Sequence, residues 1–546
     1  MKSPRSPRRW LAIASTLTVF SVVLWAVVSQ GTSPESTTAP ASPKAGEWPL
    51  FGGTVARNLV NLLDKNIPTD FDLEQGKKVK WSADLGSKAY GGPVISGGKI
   101  FMGTNNNAPR NPAVKGDKGI LMCFDANTGK FLWQAIHDKL AAGRVNDWPE
   151  EGICSSPVVE GDRLWYVSNR GEVICASVNG YVEGKTQPTM PNYKTKTDAG
   201  VIWRLDMIKD LEVFPHNLAT CSPLLVGDTL FVITSNGVDE GHVNIPRPAA
   251  PSFLALDKNT GKVKWKDNSP SVRAVGYTGG VKELVDKGLV LMHGQWSNPV
   301  YAEPNGKPQI IFPGGDGWVR AFNPADGKLI WKFDCNPKNS IYVLGEKGTR
   351  SDFVSTPIVY ENRLYIGTGQ DPEHNKGVGH LWCIDITKEP KNADKDLSPK
   401  NDNFDPKAEV NKDSGLVWHY GGFNPKAGPN DRKYFFGRTL STCCAQDGLL
   451  YECEYDGVLH CFDAKTGQQY WEHNMNADCW CSPYWVDGKV YIGNERGEIL
   501  VFKHGKTKEL LATIDTGASY VRATPVVANG VMYVVTENPC KLWAIK

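Results

Sequence analysis

A short phrase recurs along the chain and constrains its fold more than any other feature of the sequence. In Ser155–Leu164, small residues and a proline precede an apolar run, a Gly-Asp turn and a second apolar run. An apolar run, a tight turn and another apolar run predict a β-hairpin. Clear copies of the phrase begin at Cys221, Ser355, Cys481 and Ala523, and weaker copies begin at Gly91, Ser297 and Ser441. The chain therefore contains eight related units.

Each unit continues into a second predicted hairpin, which usually ends in tryptophan. An acidic or amide residue, a glycine and a tryptophan are spaced four and four apart. The spacing occurs at Asp125-Gly129-Trp133, Asp257-Gly261-Trp265, Asn323-Gly327-Trp331 and Asp463-Gly467-Trp471. Glycine suits the positive φ of the turn, and the tryptophan offers a large apolar area to a neighbouring unit. Two hairpins per unit predict four antiparallel strands.

The two ends of this repeated region complement each other. Leu542–Lys546 supplies only the third strand of unit eight, whereas Val79–Trp81 precedes unit one and carries the tryptophan expected of a fourth strand. We therefore predict an all-β fold, an eight-bladed β-propeller of four-stranded antiparallel blades closed by an N-terminal strand that completes the last blade. The composition agrees, because 55 glycines and 22% charged residues in 546 are atypical of helical bundles.

The N-terminus has the composition of a targeting segment. Four basic residues up to Arg9 precede an uncharged stretch, Trp10–Val28. Its length suits either an uncleaved signal-anchor or a cleaved signal peptide, so both interpretations of residues 1–29 remain open. Residues 30–46 are predicted to be a Ser/Thr/Pro linker, and residues 47–546 the propeller. Basic residues before the apolar stretch predict an extracytoplasmic (periplasmic) location, with the chain anchored to the inner membrane by this segment.

At this point the sequence resembles a known family. Cys123–Trp133 resembles the PQQ-like, quinoprotein-type propeller repeat, and Trp48–Gly53 is similar to a motif of secreted bacterial members, especially the planctomycete-type repeat proteins. The resemblance covers nearly all of residues 47–546 and implies the propeller fold. It includes, more distantly, noncatalytic assembly-factor propellers of the BamB type as well as PQQ-dependent dehydrogenases, so it leaves the function open.

The 13 cysteines raise the question of disulfides. In the repeat, Cys123, Cys175, Cys383 and Cys461 occupy a third-strand position that holds alanine in other units, which predicts small buried packing residues. The adjacent pair Cys443-Cys444 is similar to the vicinal disulfide of PQQ-dependent alcohol dehydrogenases. However, consecutive strand residues point to opposite faces, so we predict that these two thiols are unpaired.

The long loops are predicted to gather on one face of the propeller, which makes that face the candidate binding surface. Its candidate residues are Trp148, Glu151, Trp296, Asp352, Arg438, Asp478, Trp480 and Arg522. Aromatic, arginine and aspartate side chains around a channel mouth suit a planar anion or a sugar, and they equally suit the plugging of a narrow funnel. Two insertions offer oxygen and imidazole donors for a divalent cation, or simply polar caps for their own loops. The donors are Asp239, Glu240 and His242 in unit three, and Asp371, Glu373 and His374 in unit five.

Two functions remain open. The sequence shows no nucleophile–base constellation, which favours a noncatalytic, membrane-tethered binding or scaffolding module whose partner is an envelope protein or a polysaccharide. The alternative is a PQQ- and calcium-dependent dehydrogenase of alcohols or sugars. In that alternative, Trp480, Arg438, Arg522, Glu151 and Asp352 are the candidate cofactor residues. Balanced charges, 61 basic against 59 acidic residues, argue against nucleic acid, and we expect a monomeric propeller.

Overall fold

The structure is a computed structural model that describes residues 46–277, 281–288, 290, 292–342, 348–400 and 407–546. These residues belong to one compact unit. The predicted targeting segment 1–29 and all but the last residue of the predicted linker 30–46 lie outside the described residues. Across the described ranges, every helix is too short or too polar to span a bilayer.

Within the described residues the strands form eight sheets, each a four-stranded antiparallel blade, which confirms the predicted eight-bladed propeller. Blade 1 comprises Val94–Ser96, Lys99–Asn105, Lys118–Asp125 and Phe131–Asp138, and blade 2 comprises Val158–Glu160, Arg163–Val167, Glu172–Ser177 and Gly200–Asp206. Blade 3 comprises Leu224–Val226, Thr229–Ile233, Phe253–Asp257 and Val263–Asp267, and blade 4 comprises Val300–Ala302, Gln309–Pro313, Trp318–Phe322 and Leu329–Asp334.

The second half of the ring continues the same order of strands. Blade 5 comprises Ile358–Tyr360, Arg363–Gly367, His380–Asp385 and Leu416–Phe423, and blade 6 comprises Cys444–Gln446, Leu449–Cys453, Val458–Asp463 and Gln469–Asn474. Blade 7 comprises Tyr484–Val486, Lys489–Gly493, Glu498–Lys503 and Leu510–Asp515, and blade 8 comprises Val526–Ala528, Val531–Thr536, Lys541–Ile545 and the N-terminal Val79–Asp84. Short strands Val60–Asn61, Gln187–Pro188 and Tyr434–Phe436 extend blades 7, 2 and 5. The α-helices Met207–Leu211 and Val281–Asp286 lie in loops, as do the short 3-10 helices Gly143–Val145, Pro191–Tyr193, Val272–Ala274, Pro304–Gly306 and Pro372–His374.

The ring closes as predicted. Val79–Asp84 runs antiparallel to Lys541–Ile545, with Trp81 opposite Ala544. The last blade therefore obtains its fourth strand from the N-terminal side of the repeat region, and no long sheet edge is left free there.

At five of the eight junctions between the described blades, a tryptophan packs over a glycine of the following blade. The docking ring lies 2.5–2.9 Å from the position that a Cβ would take at a glycine of the following blade, so only glycine fits beneath it. The pairs are Trp81 with Gly129, Trp133 with Gly180, Trp203 with Gly261, Trp265 with Gly327, and Trp418 with Gly467. Opposite the docking tryptophan, the third strand carries alanine or cysteine: Cys123, Cys175, Ala255, Ala321, Cys383, Cys461 or Ala544. The predicted packing role of these four cysteines is confirmed, since all are buried and unpaired.

A segment that the repeat did not predict runs beneath the ring. Residues 48–61, the N-terminal belt, bond to all eight blades, in chain order except at blade 3, which Arg57 contacts. Its contacts reach Ile95, Val159, Ser222, Tyr301, Val359, Ala445, Trp485 and Val527. Arg57 anchors the belt: its fully buried guanidinium donates to the carbonyl oxygens of Phe51, Ser222, Pro223 and Pro299.

The innermost column of the propeller is joined by hydrogen bonds from blade to blade. In each repeat it holds the small residue that precedes the proline position. From blade 2 to blade 8 the members are Ser156, Ser222, Asn298, Thr356, Thr442, Ser482 and Thr524. In each neighbouring pair, a backbone N–H or the side-chain amide of Asn298 donates to the side-chain oxygen of the next member. These bonds satisfy polar groups where the blades crowd together, and they form the floor of an axial cavity.

Candidate functional site

A cavity of about 390 Å³ lies on the propeller axis, on the face where the long loops gather. Each blade contributes one residue to its wall, two positions before the residue of the innermost column. These are Tyr90, Cys154, Thr220, Trp296, Val354, Leu440, Trp480 and Arg522. Phe51 of the N-terminal belt also lines the cavity, and the rim comes from loops that carry Trp148, Glu151, Asn217 and Asp371–Glu373. Concave, largely apolar sites with a few polar groups are where small ligands and side chains bind.

Aromatic rings dominate one side of this cavity. Tyr90 and Trp480 have ring centroids 5.4 Å apart, and the Arg522 guanidinium lies 5.2 Å from the Trp480 centroid. Trp148 lies beneath the guanidinium of Arg144, 4.3 Å from its ring centroid. The wall therefore already holds cations against aromatic faces.

The charges around the cavity are predominantly negative. Glu151, Asp371 and Glu373 line it, whereas the cation among its described lining residues, Arg522, bonds to Glu495 at 2.6 Å and Glu537 at 3.1 Å. Burial raises the pKa of Glu151, and it raises that of Asp371 to about 6. At neutral pH the Asp371 carboxylate is mostly ionised, so the lining keeps a surplus of negative charge.

Five of the eight predicted binding-face residues line the cavity: Trp148, Glu151, Trp296, Trp480 and Arg522. The other three lie outside its lining. Asp352 is buried, with a carboxylate oxygen 3.5 Å from Nδ1 of His293. Arg438 donates to the carbonyl oxygens of His374 and Asn375, and Asp478 pairs with Lys376 at 2.5 Å.

Of the predicted metal donors in the two insertions, likewise, some line the cavity and others do not. Asp371 and Glu373 line the cavity, but Asp239 accepts hydrogen bonds from Val243 and Asn244 and so caps its own loop. Glu240 pairs with Arg144 at 2.7 Å. The two histidines, His242 and His374, come together, with ring centroids 5.7 Å apart.

Two further histidines, which the sequence did not single out, complete this group. His216 and His293 lie 4.9 Å from His242, ring centroid to ring centroid, and 4.6 Å from each other. Trp296, in the cavity wall, contacts both and donates its indole N–H to the His216 carbonyl oxygen at 3.1 Å. The histidine cluster, defined as His216, His242, His293 and His374, therefore adjoins the cavity wall.

The four imidazoles of the cluster are uncharged at neutral pH. Burial lowers the pKa of His216 to about 3 and that of His374 to about 4, and it lowers the pKa values of His242 and His293 as well. His216 Nδ1 lies 3.0 Å from the Val238 carbonyl oxygen, an acceptor only, so Nδ1 carries the proton and Nε2 presents a lone pair.

The fold family raises the question of whether the cavity fits PQQ. That cofactor carries three carboxylates and needs cationic groups for them. Here the cationic lining residue Arg522 is already paired with two glutamates, and Glu151, Asp371 and Glu373 would face the cofactor's own carboxylates. Arg438 and Asp352, two of the candidate cofactor residues, lie outside the lining. The lining residues therefore do not fit PQQ.

No curated protein sequence matches the chain. Among solved structures, quinohemoprotein alcohol dehydrogenase from Comamonas testosteroni is 13% identical, with a TM-score of 0.56 over 92% of this chain and 81% of that one. The quinohemoprotein alcohol dehydrogenase ADHIIG from Pseudomonas putida HK5 is 14% identical, with a TM-score of 0.54 over 92% and 80%. BamB from Moraxella catarrhalis is 14% identical, with a TM-score of 0.47 over 86% and 97%.

The similarity to the two dehydrogenases establishes a shared propeller fold and nothing about activity. A family profile described as outer membrane protein assembly factor BamB matches residues 192–403 and 455–546, which together make up more than half of the chain. The chain therefore belongs to this PQQ-like, BamB-type family of β-propellers.

Proposed function

We propose that this protein is a noncatalytic, extracytoplasmic binding propeller, tethered to the membrane by residues 1–29, that holds a basic segment of an envelope protein in its axial cavity. The observation that carries the proposal is the composition of the cavity lining. Five aromatic side chains, Phe51, Tyr90, Trp148, Trp296 and Trp480, stand beside three carboxylates, and the cation among the described lining residues is already paired.

This lining suits a lysine or arginine side chain for two physical reasons. Aromatic faces attract cations with about 0.5–2 kcal/mol each, more where water is excluded. Carboxylates at the rim, Glu151 and Glu373, add an attraction that speeds the encounter with a basic partner. The family whose profile matches the chain also supports a protein partner, because its description is that of an assembly factor.

The dehydrogenase alternative has no comparable support. Trp480, Arg522 and Glu151 line the cavity, but Arg438 and Asp352 do not, and the lining has the wrong charge for three carboxylates. The similarity to quinohemoprotein dehydrogenases rests on fold alone.

The test uses the full chain in a mild detergent and fluorescent peptides of equal length, one lysine- and arginine-rich and one acidic, with anisotropy as the readout. We expect the basic peptide to bind and the Glu151→Gln/Glu373→Gln variant to weaken it at least fivefold. Glu160→Gln, at an exposed carboxylate on the opposite, short-turn face, is the matched control and is expected to bind like the parent chain.

Three results would overturn the proposal: no preference for the basic peptide, binding unaffected by the double variant, or selective capture of envelope polysaccharide. PQQ and calcium binding with dye-linked alcohol oxidation would establish the alternative instead. For the location, protease treatment of intact spheroplasts is expected to digest the propeller, and its protection there would contradict an extracytoplasmic site.

A further inference from the structure

The histidine cluster lies beside the axial cavity and has no part in the proposed peptide binding. The geometry points to a transition-metal site, of the zinc class, formed by the imidazoles of His216, His242 and His293, with His374 next to the open side. The propeller repeat does not supply these residues, because they come from loops between and within blades.

The spacing of the ligand atoms carries the inference. One nitrogen from each of His216, His242 and His293 lies within 4.8 Å of the other two. The Nε2 atoms of His216 and His242 are 3.1 Å apart. Two nitrogens bound to one tetrahedral zinc ion at about 2.0–2.1 Å are separated by about 3.3 Å, so small rotations of the rings suffice to place three nitrogens around one ion.

A hydrogen-bond partner already aims one of these rings, and a carboxylate lies near a second. His216 directs Nδ1 at the Val238 carbonyl oxygen, 3.0 Å away, which leaves Nε2 facing His242. Nδ1 of His293 lies 3.5 Å from a carboxylate oxygen of Asp352, without the geometry of a hydrogen bond. Carbonyl–histidine and carboxylate–histidine pairs of this kind are the usual outer shell of metal-binding histidines, since they fix the tautomer and the ring orientation.

The donor set selects the class of ion. Three imidazole nitrogens suit zinc, copper or nickel, whereas calcium and magnesium take oxygen ligands. Three protein ligands leave a fourth position, as in catalytic zinc sites. His374 lies 5.7 Å from both His242 and His293 between ring centroids, close enough to fill that position after a change of rotamer.

The competing explanation is a stack of uncharged histidines that packs the loops without any ion. The two explanations differ at His242, which is half-buried and adopts a left-handed backbone conformation at φ 53°. Asparagine tolerates that conformation, so His242→Asn removes one ligand while the loop keeps its shape. His473→Asn is the matched control, because His473 lies on the outer strand of blade 6 and is likewise half-buried.

The experiment uses the full chain, purified in a mild detergent without a polyhistidine tag and stripped with a chelator. Zn²⁺ is titrated by calorimetry, with Ca²⁺ as the competing ion, and Co²⁺ is added in place of zinc for its visible spectrum. We expect one equivalent of Zn²⁺ to bind in the presence of excess Ca²⁺, and Co²⁺ to show the intense bands of a four-coordinate ion. Cu²⁺ bound to the parent chain is expected to show nitrogen hyperfine coupling to three or four imidazoles, a readout that needs no variant.

His242→Asn is expected to weaken Zn²⁺ at least tenfold and to abolish the rise in melting temperature that the metal causes, while His473→Asn changes neither. Absence of stoichiometric Zn²⁺ binding in the parent chain would overturn the inference, and so would equal binding by the His242→Asn variant. Neither outcome bears on capture of the basic peptide, so the metal site and the proposed function fail separately.

Discussion

The ring of Trp418 lies 2.6 Å from the position that a Cβ would occupy at Gly467, in the turn of the following blade. We expect Gly467→Ala to lower the free energy of unfolding by about 3 kcal/mol, because a methyl group would displace the docking ring and φ is +73°. Gly488→Ala is the control: φ there is +68° with open space around it, and backbone strain alone costs about 1 kcal/mol. Denaturant unfolding of both variants measures the difference. Equal losses would mean that the docking contact adds nothing.

Arg57 is expected to control the stability of the N-terminal belt. Arg57→Met removes the donor to three buried carbonyl oxygens and one partly buried one, and each buried acceptor left without a partner costs about 1–3 kcal/mol. We expect a loss of at least 3 kcal/mol in thermal or denaturant unfolding, together with faster proteolysis of residues 48–61. Arg163→Met, at a surface arginine, serves as the control. A variant as stable and as protease-resistant as the parent chain would contradict the anchoring role.

Glu452 is expected to make stability depend on pH. Its carboxyl is fully buried, and burial raises its pKa to about 8. The hydroxyl of Thr439 has one proton but two oxygen neighbours, Glu452 Oε1 at 2.8 Å and the Cys453 carbonyl at 2.5 Å, which agrees with a protonated carboxyl.

The native state therefore holds a proton that the unfolded chain, with an ordinary pKa near 4.5, has released. The resulting stabilisation is complete below pH 4.5 and is lost as the pH rises to about 8, with a slope of about 1.4 kcal/mol per pH unit at most. Relative to the parent chain, the Glu452→Gln variant is expected to gain stability steadily between pH 5 and pH 8 in denaturant unfolding. A difference that is constant over this range would show that Glu452 is ionised in the native state.

All 13 cysteines are expected to be titratable thiols. None is in a disulfide, and Cys443 and Cys444 pack on opposite sides of their strand, in different core clusters. Burial raises the pKa of both thiols, so the folded protein should react slowly with a thiol reagent. Unfolding in guanidinium without reductant should release 13 equivalents. Two missing equivalents, restored by reductant, would reveal a disulfide.

The blades could be predicted from the sequence because each repeat carries, at fixed spacing, the residue types that blade packing requires. A docking tryptophan such as Trp418 needs a glycine beneath it and a small residue opposite, and these requirements recur at fixed spacing. Closure by Trp81 followed from counting strands. The N-terminal belt escaped prediction because its bonds are made by backbone groups and by the side chains of Arg57, Asn58 and Asn61, with no periodic pattern to show them.

The candidate site was predicted only in part, for a related reason. Wall residues such as Trp296 and Trp480 share a repeat column, so alignment of the units located them. His216 and His293 lie in non-repeated loops, and their approach to His242 depends on the path of each loop. One signal was available: four of the 10 histidines fall in loops of the same face, between blades 2 and 5.

The N-terminal belt has a consequence for how the molecule assembles. Asn61 bonds to Val527, and Val79–Asp84 pairs with Lys541–Ile545, so these N-terminal residues have partners that are more than 450 positions later in the chain. Contacts of such long sequence separation form slowly. A nascent chain that carries only the first seven blades offers no partner to Asn61 or to Val79–Asp84. Closure of the propeller thus requires synthesis of the final strand, and until then we expect the unfinished chain to bind chaperones that hold unfolded proteins.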